Sequence, residues 1–186
     1  KRRGGRLVSF QVEAAVRDSE ERYRTLFDLG PVAVYSCDVA GVIQTFNHRP
    51  TELWGGEPAI GDATQQFCGS FRMFRTDGQP MPHDQCPMAE VVAGTLSEVR
   101  DGEVVIERRD GTRVTVIVNI RPLKNHHGEI TGAINCFYDI TERKQIEEAL
   151  RDADRRKNEF LSMLADGLRN PVAPMLMSIE ILGRGN

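Results

Sequence analysis

Three side chains in the middle of the sequence are of the kind that binds soft metal ions. Cys68, His83 and Cys86 offer two thiols and an imidazole, which are ligands that Zn²⁺ favours. A structural zinc site needs about four such ligands, and only these three lie near one another in the sequence. Buried thiols are the alternative, because free cysteine is among the most buried residue types. We therefore predict no metal site.

Aromatic side chains in the same stretch could instead surround a small molecule. Ligand pockets are lined mainly by apolar and aromatic groups, with a few polar groups that fix the orientation of the ligand. The candidate cavity is formed by Trp54, Phe67, Phe71 and His83. Ordinary core packing is the alternative for the aromatic residues, so both interpretations stay open.

Hydrophobic periodicity indicates the elements that position these residues. Apolar residues recur every three or four positions at 7–29, which predicts a helix that ends at Gly30. A helical turn is expected at 48–55, and a further helix from Asp84, whose side chain would cap it, to Gly94. Alternation predicts five strands, at 32–38, 42–47, 102–109, 112–123 and 129–140. The predicted fold class is α+β, with a five-stranded, largely antiparallel sheet.

The sequence after Thr141 is helical in character almost throughout. The candidate positions of a coiled-coil seam step by four and three, and they are Ile146, Leu150, Ala153, Lys157, Phe160, Leu164 and Leu168. A helix of this length leaves its apolar stripe uncovered in a monomer. We therefore predict a homodimer that forms through this C-terminal helix.

Composition excludes some classes of function. The 186 residues carry 24 Lys+Arg against 27 Asp+Glu, a net charge of -3, which argues against a nucleic-acid partner. No apolar stretch approaches the roughly 20 residues of a membrane span, so we expect no membrane segment in this chain. The 4 cysteines form no CxxC pair, which indicates no disulfide framework and a reducing, cytoplasmic location.

The order of the elements resembles that of the PAS sensor domain family. The segments that carry the resemblance are ERYRTLFD (21–28), RRDGTRV (108–114) and GEITGAINCFYDITERK (128–144). The resemblance implies a PAS fold, a sheet with flanking helices, at 21–140, after an N-terminal linker helix at 1–20.

A PAS domain holds a ligand between its sheet and its helices, or acts as a packing relay without one. The resemblance makes His83 a candidate axial ligand for haem, with a polar turn residue as the alternative. The motif GxNCRFLQ of photosensing relatives is missing, which argues against a flavin–thiol adduct. We therefore predict no cofactor, with haem or a small-molecule ligand as the alternatives.

The tail carries a second resemblance. The segment KNEFLSMLADGLRNPVAPM (157–175) resembles the first helix of the dimerisation and phosphoacceptor domain of two-component sensor histidine kinases. This implies a coiled-coil signalling helix at 141–158 and a partial phosphoacceptor helix at 159–186. Asp166 stands at the position of the phosphorylated histidine of the family, and Gly167 at that of the adjacent glutamate. Because the reaction needs an imidazole nucleophile and a carboxylate to take its proton, we predict that this chain does not autophosphorylate.

Four residues near the end of the predicted sheet are candidates for signal relay. We expect Asp139 to pair with Arg108 or Arg109 of the neighbouring hairpin, while Thr141 caps the output helix. Exposed ion pairs stabilise by only about 0 to 1 kcal/mol. Such a weak contact suits a junction that switches between two states.

These resemblances together imply the sensory and dimerisation segment of a bacterial two-component sensor histidine kinase. A change in the PAS domain would pass through the coiled coil to the phosphoacceptor helix, and a response regulator would be the partner of the intact parent kinase. Two alternatives stay open. The chain could be a fragment of a competent, ATP-dependent kinase in which the departure at 166–167 is an artefact, or a stand-alone PAS interaction module.

Overall fold

The computed structural model describes residues 2–64 and 66–183, and it describes the side chains at 15–64 and 66–165. The chain divides into two compact units, one up to Thr141 and one from Glu142. The elements are α1 (Arg2–Leu29), β1 (Ala33–Asp38), β2 (Ile43–Phe46), α2 (Arg49–Trp54), β3 (Arg72–Phe74), β4 (Pro80–Met81), a 3-10 helix (His83–Gln85), α3 (Pro87–Val92), β5 (Val99–Glu107), β6 (Arg113–Lys124), β7 (Ile130–Asp139) and α4 (Thr141–Gly183).

The strands form an antiparallel sheet of seven strands, in the order β2-β1-β7-β6-β5-β3-β4. The five strands expected from alternation are all present, as β1, β2, β5, β6 and β7. On β6 the alternating positions Val114, Val116, Val118 and Ile120 are all buried, as expected for the face of a strand that packs on a core.

The expected number of five strands is wrong because a short hairpin adds two more. Strands β3 and β4 contain only 3 and 2 residues, too few for an alternating pattern to be recognised in the sequence. Their turn is closed by a hydrogen bond from the Arg75 amide to the Gln79 carbonyl oxygen (2.8 Å). The hairpin pairs with β5 from Val105 to Glu107 and extends the sheet on that side.

The expected cap of the third helix is also wrong. Helix α3 begins at Pro87, and its N-cap is Cys86, whose side chain makes no capping hydrogen bond. Asp84 lies in the 3-10 helix that precedes α3. Proline is well placed at the first helical position, because that residue needs no amide donor, and this allows the helix to start without a polar cap.

Helix α3 covers one face of the sheet and closes the core. Its side chains Met88, Ala89 and Val91 are buried together with the inward-facing residues of β5, β6 and β7. Fully burying a side chain of the size of Val or Met contributes roughly 1.5–3 kcal/mol to folding.

Candidate functional site

An outer cleft of about 450 Å³ opens beside the end of α2. The aromatic, imidazole and charged groups around it are Trp54, Glu57, Phe71, His83, Asp84 and Arg109. Three members of the predicted ligand cavity, Trp54, Phe71 and His83, therefore meet here. The lining is more polar than expected, because it includes charges of both signs as well as aromatic rings.

Phe67, the fourth predicted member, does not line the outer cleft. Its carbonyl oxygen accepts a hydrogen bond from the Tyr35 hydroxyl (2.7 Å), and its ring packs against the turn glycine Gly41. Gly41 has φ +80°, and an added Cβ would meet the Phe67 ring at 2.8 Å. Both facts require glycine at this position.

The floor of the outer cleft is the Trp54 ring, which is 2% exposed. Helix α2 ends directly after it, because Gly55 takes the left-handed conformation (φ +72°) that stops a helix. A Cβ on Gly69 would overlap the Trp54 ring, so the glycine leaves the ring its space. The ring makes an edge contact with Tyr35 (5.0 Å between centroids) and stacks on Phe137 (5.7 Å).

A separate inner cavity of about 30 Å³ lies behind this floor, between α3 and the sheet. Trp54 and Cys68 line both spaces. The inner cavity has about the volume of one water molecule, and Tyr35 and Asn135 are among its polar walls. It has no room for a cofactor.

The haem and zinc alternatives do not fit these residues. His83 lines the outer cleft and not the inner cavity, and its Nε2 lies 3.1 Å from the Ser70 carbonyl oxygen, a hydrogen-bond distance. The inner cavity is far too small for a macrocycle. In the part of the chain that the structure describes, no group of three or more His, Cys, Asp or Glu side chains could hold a metal ion. Burial raises the pKa of Cys68, and it raises the pKa of Cys86 to about 12. Both thiols therefore stay protonated near neutral pH, in a form that binds metal poorly.

The two candidate relay arginines lie beside the outer cleft. Arg108 Nε donates to the Leu53 carbonyl oxygen (2.9 Å), and its side-chain stem packs on Gly55. The Arg109 guanidinium lies 6.0 Å from the centroid of the Phe71 ring. Among the described residues no ion pair joins Asp139 to either arginine. The expected pair does not form; Arg108 bonds instead to a carbonyl oxygen in the last turn of α2.

Asp139 and Thr141 form a junction between the sheet and α4, with a partner that sequence reasoning missed. Asp139 Oδ1 accepts from the Thr141 amide (2.7 Å), and Thr141 Oγ1 accepts from the Thr115 amide (2.9 Å). The buried Ile140 donates its amide to the Thr115 carbonyl oxygen (2.8 Å). Asp139, and not Thr141, therefore supplies the oxygen at the start of the helix. We refer to Thr115, Asp139, Ile140 and Thr141 as the output junction.

Helix α4 contains the predicted seam and the predicted phosphoacceptor position. The apolar side chains at Ile146, Leu150, Phe160, Leu161, Met163 and Leu164 are between 46% and 73% exposed. Gly167 has open space around it, whereas the Asp166 side chain lies outside the residues whose side chains are described. Among the described helices, none is both long enough and apolar enough to span a membrane.

Comparison with known proteins gives one family match. The model of the PAS domain family matches residues 31–142. Sensor histidine kinase WalK of Bacillus subtilis (strain 168) is 29% identical over 90 residues, which cover 48% of this chain and 14% of WalK. Signal transduction histidine-protein kinase AtoS of Escherichia coli (strain K12) is 30% identical over 82 residues, 43% of this chain and 13% of AtoS. The matched segment is thus a small part of either kinase.

A solved structure agrees in fold. The structure of an RNA-binding light-oxygen-voltage receptor superposes with a TM-score of 0.50 at 18% identity, and the match covers 75% of this chain and 38% of the receptor. At this identity the likeness concerns the fold alone.

Proposed function

Because the chain belongs to the PAS domain family, we propose that it is the sensory segment of a bacterial two-component sensor histidine kinase. The family match at 31–142 and the similarity to WalK and AtoS support this proposal. A change in the PAS domain would alter the start of α4, and α4 would pass that change to a phosphoacceptor helix. The cytoplasmic location and the response regulator, which would act through an intact parent kinase, are parts of the same proposal.

The output junction is the observation that carries the proposed relay. Thr115 on β6 bonds through its amide to Thr141 and through its carbonyl oxygen to Ile140. Thr141, the first residue of α4, and Ile140 before it are therefore held by backbone groups of β6. Each hydrogen bond contributes only about 1 kcal/mol, so a small shift of β6 could exchange one arrangement for another.

Exposed apolar side chains along α4 support the proposed dimer. Several large residues from Ile146 to Leu164 are more than half exposed, which is unusual for a helix without a partner. A second copy of α4 would cover them as a coiled coil. The proposed boundaries at residue 20 and at 158/159 lie within the continuous helices α1 and α4.

The residues at the phosphoacceptor position favour a sensory role over a catalytic one. Histidine phosphorylation needs an imidazole, which Asp166 lacks, and an adjacent carboxylate, which Gly167 lacks. We therefore propose that this chain does not autophosphorylate. A stand-alone PAS interaction module is the remaining alternative, and a native mass spectrum of the purified chain separates the two. A dimer supports the kinase segment, whereas a monomer at micromolar concentration supports the stand-alone module.

A chimaera tests the relay directly. Residues 1–165 would be fused in register to the phosphoacceptor and catalytic domains of AtoS, and autophosphorylation would be measured with ATP. Asp139→Ala removes the oxygen that accepts from the Thr141 amide, so we expect the rate to change by about fivefold while the melting temperature stays within about 2 °C.

Asp110→Ala is the matched control for this experiment. Its carboxylate also accepts from a backbone amide two residues on, that of Thr112 (2.8 Å), but it lies in the β5–β6 turn. This variant should leave the rate unchanged. If Asp139→Ala gives the wild-type rate, or if both variants change it equally, the output junction is not the relay.

A further inference from the structure

We propose that the outer cleft binds a small zwitterion, a free amino acid or a dipeptide, and that the Trp54–Phe137 stack links its occupancy to the output junction. This inference rests on the proposed sensory function and names the class of ligand that would be sensed. It is carried by the charges around the cleft, by the position of Trp54 and by the place of Phe137 on β7.

The lining of the cleft presents charges of both signs. Arg109 follows β5 on one wall, whereas Glu57 follows α2 and Asp84 lies in the 3-10 helix. A purely anionic ligand would face two carboxylates, and a purely cationic ligand would face the guanidinium. A molecule with one carboxylate and one ammonium group can pair with both kinds of charge, and this complementarity discriminates against ligands that carry one charge.

His83 adds an acceptor for an ammonium group. The Ser70 carbonyl oxygen can only accept, so Nε2 of the His83 ring carries the hydrogen in their 3.1 Å contact. In the tautomer with its hydrogen on Nε2, Nδ1 is the acceptor. The bond to Ser70 also fixes the ring at the edge of the cleft, so the imidazole is already ordered before a ligand arrives.

The size of the cleft suits ligands of this class. Its volume of about 450 Å³ lies at the lower end of the roughly 300–1,000 Å³ that small-molecule sites occupy. This leaves room for an amino acid with its side chain over the aromatic floor, or for a dipeptide.

Trp54 connects the cleft to the output strand. Its ring forms the floor and stacks on Phe137, with ring centroids 5.7 Å apart and planes 23° apart. Phe137 is 2% exposed and precedes Asp139 by two residues on β7, so both lie on the same side of the strand. A displacement of Trp54 by a ligand is resisted by close packing and passes to Phe137.

The sole tryptophan of the chain is Trp54, so its fluorescence reports directly on the cleft. The purified chain would be titrated with the common L-amino acids and with Gly-Gly and Ala-Ala, by fluorescence and by calorimetry. The same amino acids with an acetylated amine or an amidated carboxylate are the matched ligands. We expect acetylation of the amine or amidation of the carboxylate to weaken binding at least about tenfold, because a charged group in the cleft then loses its partner.

Two arginine variants locate the site. Arg109→Gln should weaken binding of the free amino acid about tenfold. Arg100 is an exposed arginine of β5 that bonds to Glu98 and does not line the cleft, so Arg100→Gln should leave binding unchanged. Phe137→Leu should keep binding but reduce the effect of the ligand on hydrogen exchange of the Thr141 amide.

The zwitterion inference is overturned if no free amino acid or dipeptide binds at millimolar concentration, or if capped and free ligands bind equally. It is also overturned if Arg100→Gln weakens binding as much as Arg109→Gln. The relay is overturned separately, by the AtoS chimaera, because that assay compares Asp139 variants without any added ligand. A responsive chimaera with no zwitterion binding would therefore refute the ligand class alone.

Discussion

In the unit that contains the sheet, the chain before β1 and the chain after β7 are held by different kinds of hydrogen bond. At the upstream end, the buried Asn47 side chain donates to the Phe27 and Val32 carbonyl oxygens (2.8 and 2.9 Å) and accepts from the Val34 amide (3.0 Å). It thereby ties the last turn of α1 to β1. At the downstream end, the half-buried Thr141 and the exposed Asp139 each accept one hydrogen bond with their side chains, and the buried Ile140 donates its amide to the Thr115 carbonyl oxygen.

This difference shows which end can rearrange at low cost. A buried polar group that loses its partner costs about 1–3 kcal/mol, because water cannot replace the lost bond. An exposed group exchanges its partner for water at little net cost. The hydrogen bonds of Asn47 therefore cost more to break than those of the Asp139 and Thr141 side chains, as the proposed relay through the output junction requires.

The largest effect is expected at the upstream end. Replacing Asn47 with Leu leaves the Phe27 and Val32 carbonyl oxygens and the Val34 amide without this partner. We expect the free energy of unfolding in urea to fall by about 3–4 kcal/mol.

Asn125→Leu is the control for this comparison. Asn125 also makes three hydrogen bonds, to the Glu129 carboxylate and from the His127 and Glu129 amides, but in an exposed hairpin loop. Its loss should cost about 1 kcal/mol or less. Equal losses in the free energy of unfolding for Asn47→Leu and Asn125→Leu would show that buried and exposed hydrogen bonds do not differ here.

Alkaline pH should weaken the core that both ends share. Burial raises the pKa of the Cys86 thiol from 9.0 to about 12. The unfolded chain therefore releases this proton first, so the stabilising effect is complete below about pH 9 and is lost as the pH rises toward about 12. At about pH 10 we expect a loss of about 1 kcal/mol from this thiol, measured by urea unfolding.

Two measurements test whether the Cys86 thiol causes this loss and whether the loss affects both ends of the sheet. Cys86→Ala should reduce the dependence of stability on pH between about pH 8 and about pH 10, and the Cys37 thiol, whose pKa burial raises to about 11, accounts for part of what remains. In the wild type, hydrogen exchange of the Val34 and Thr115 amides should rise together, because the core lies beneath both ends. An unchanged slope in Cys86→Ala would contradict the assignment to this thiol.

A smaller and local effect is expected at the output junction. Thr141→Val removes the oxygen that accepts from the Thr115 amide and keeps the shape of the side chain. We expect a loss of about 1 kcal/mol, with faster hydrogen exchange of the Thr115 amide and unchanged exchange of the Val34 amide. Thr131→Val is the control, because that hydroxyl bonds to the Leu123 carbonyl oxygen at an exposed position. Faster exchange at both ends would mean that the ends are not independent.

The smallest effect is expected from Asp139→Asn. The amide oxygen of Asn can still accept from the Thr141 amide, so both stability and the chimaera rate should match the wild type within about 0.5 kcal/mol and about twofold. Together with Asp139→Ala this variant separates the hydrogen bond from the charge. An equal change of the rate in Asp139→Ala and Asp139→Asn would show that the charge matters and the hydrogen bond does not.

Local patterns in the sequence were sufficient to predict most of the fold. The β6 alternation at 114–120 and the turns at Gly41 and Gly111 are local signals, and both turn glycines have positive φ. The β3–β4 hairpin was not predicted, because strands of 3 and 2 residues are too short to show an alternating pattern.

The candidate site was predictable only in part. Trp54, Phe71 and His83 meet as expected, and Asp139 and Thr141 do belong to a junction. The contact between Thr115 and Thr141 follows from the pairing of Val116 with Asp139 across β6 and β7. The register between two strands cannot be read from the spacing of residues within the sequence. The expected partner of Asp139 was wrong for the same reason.

The additional hairpin at the edge of the sheet also affects how copies of the chain can associate. Strand β3 covers the backbone of Val105, Ile106 and Glu107, part of an apolar strand that would otherwise offer free amides to another chain. The outermost strand, β4, is two residues long and begins with Pro80, which has no amide to donate. Open edges of this kind are where proteins aggregate by strand addition. Because β3 and β4 occupy this edge, self-association by strand addition to β5 is disfavoured. The exposed apolar side chains of α4 then remain as a surface for contact between copies.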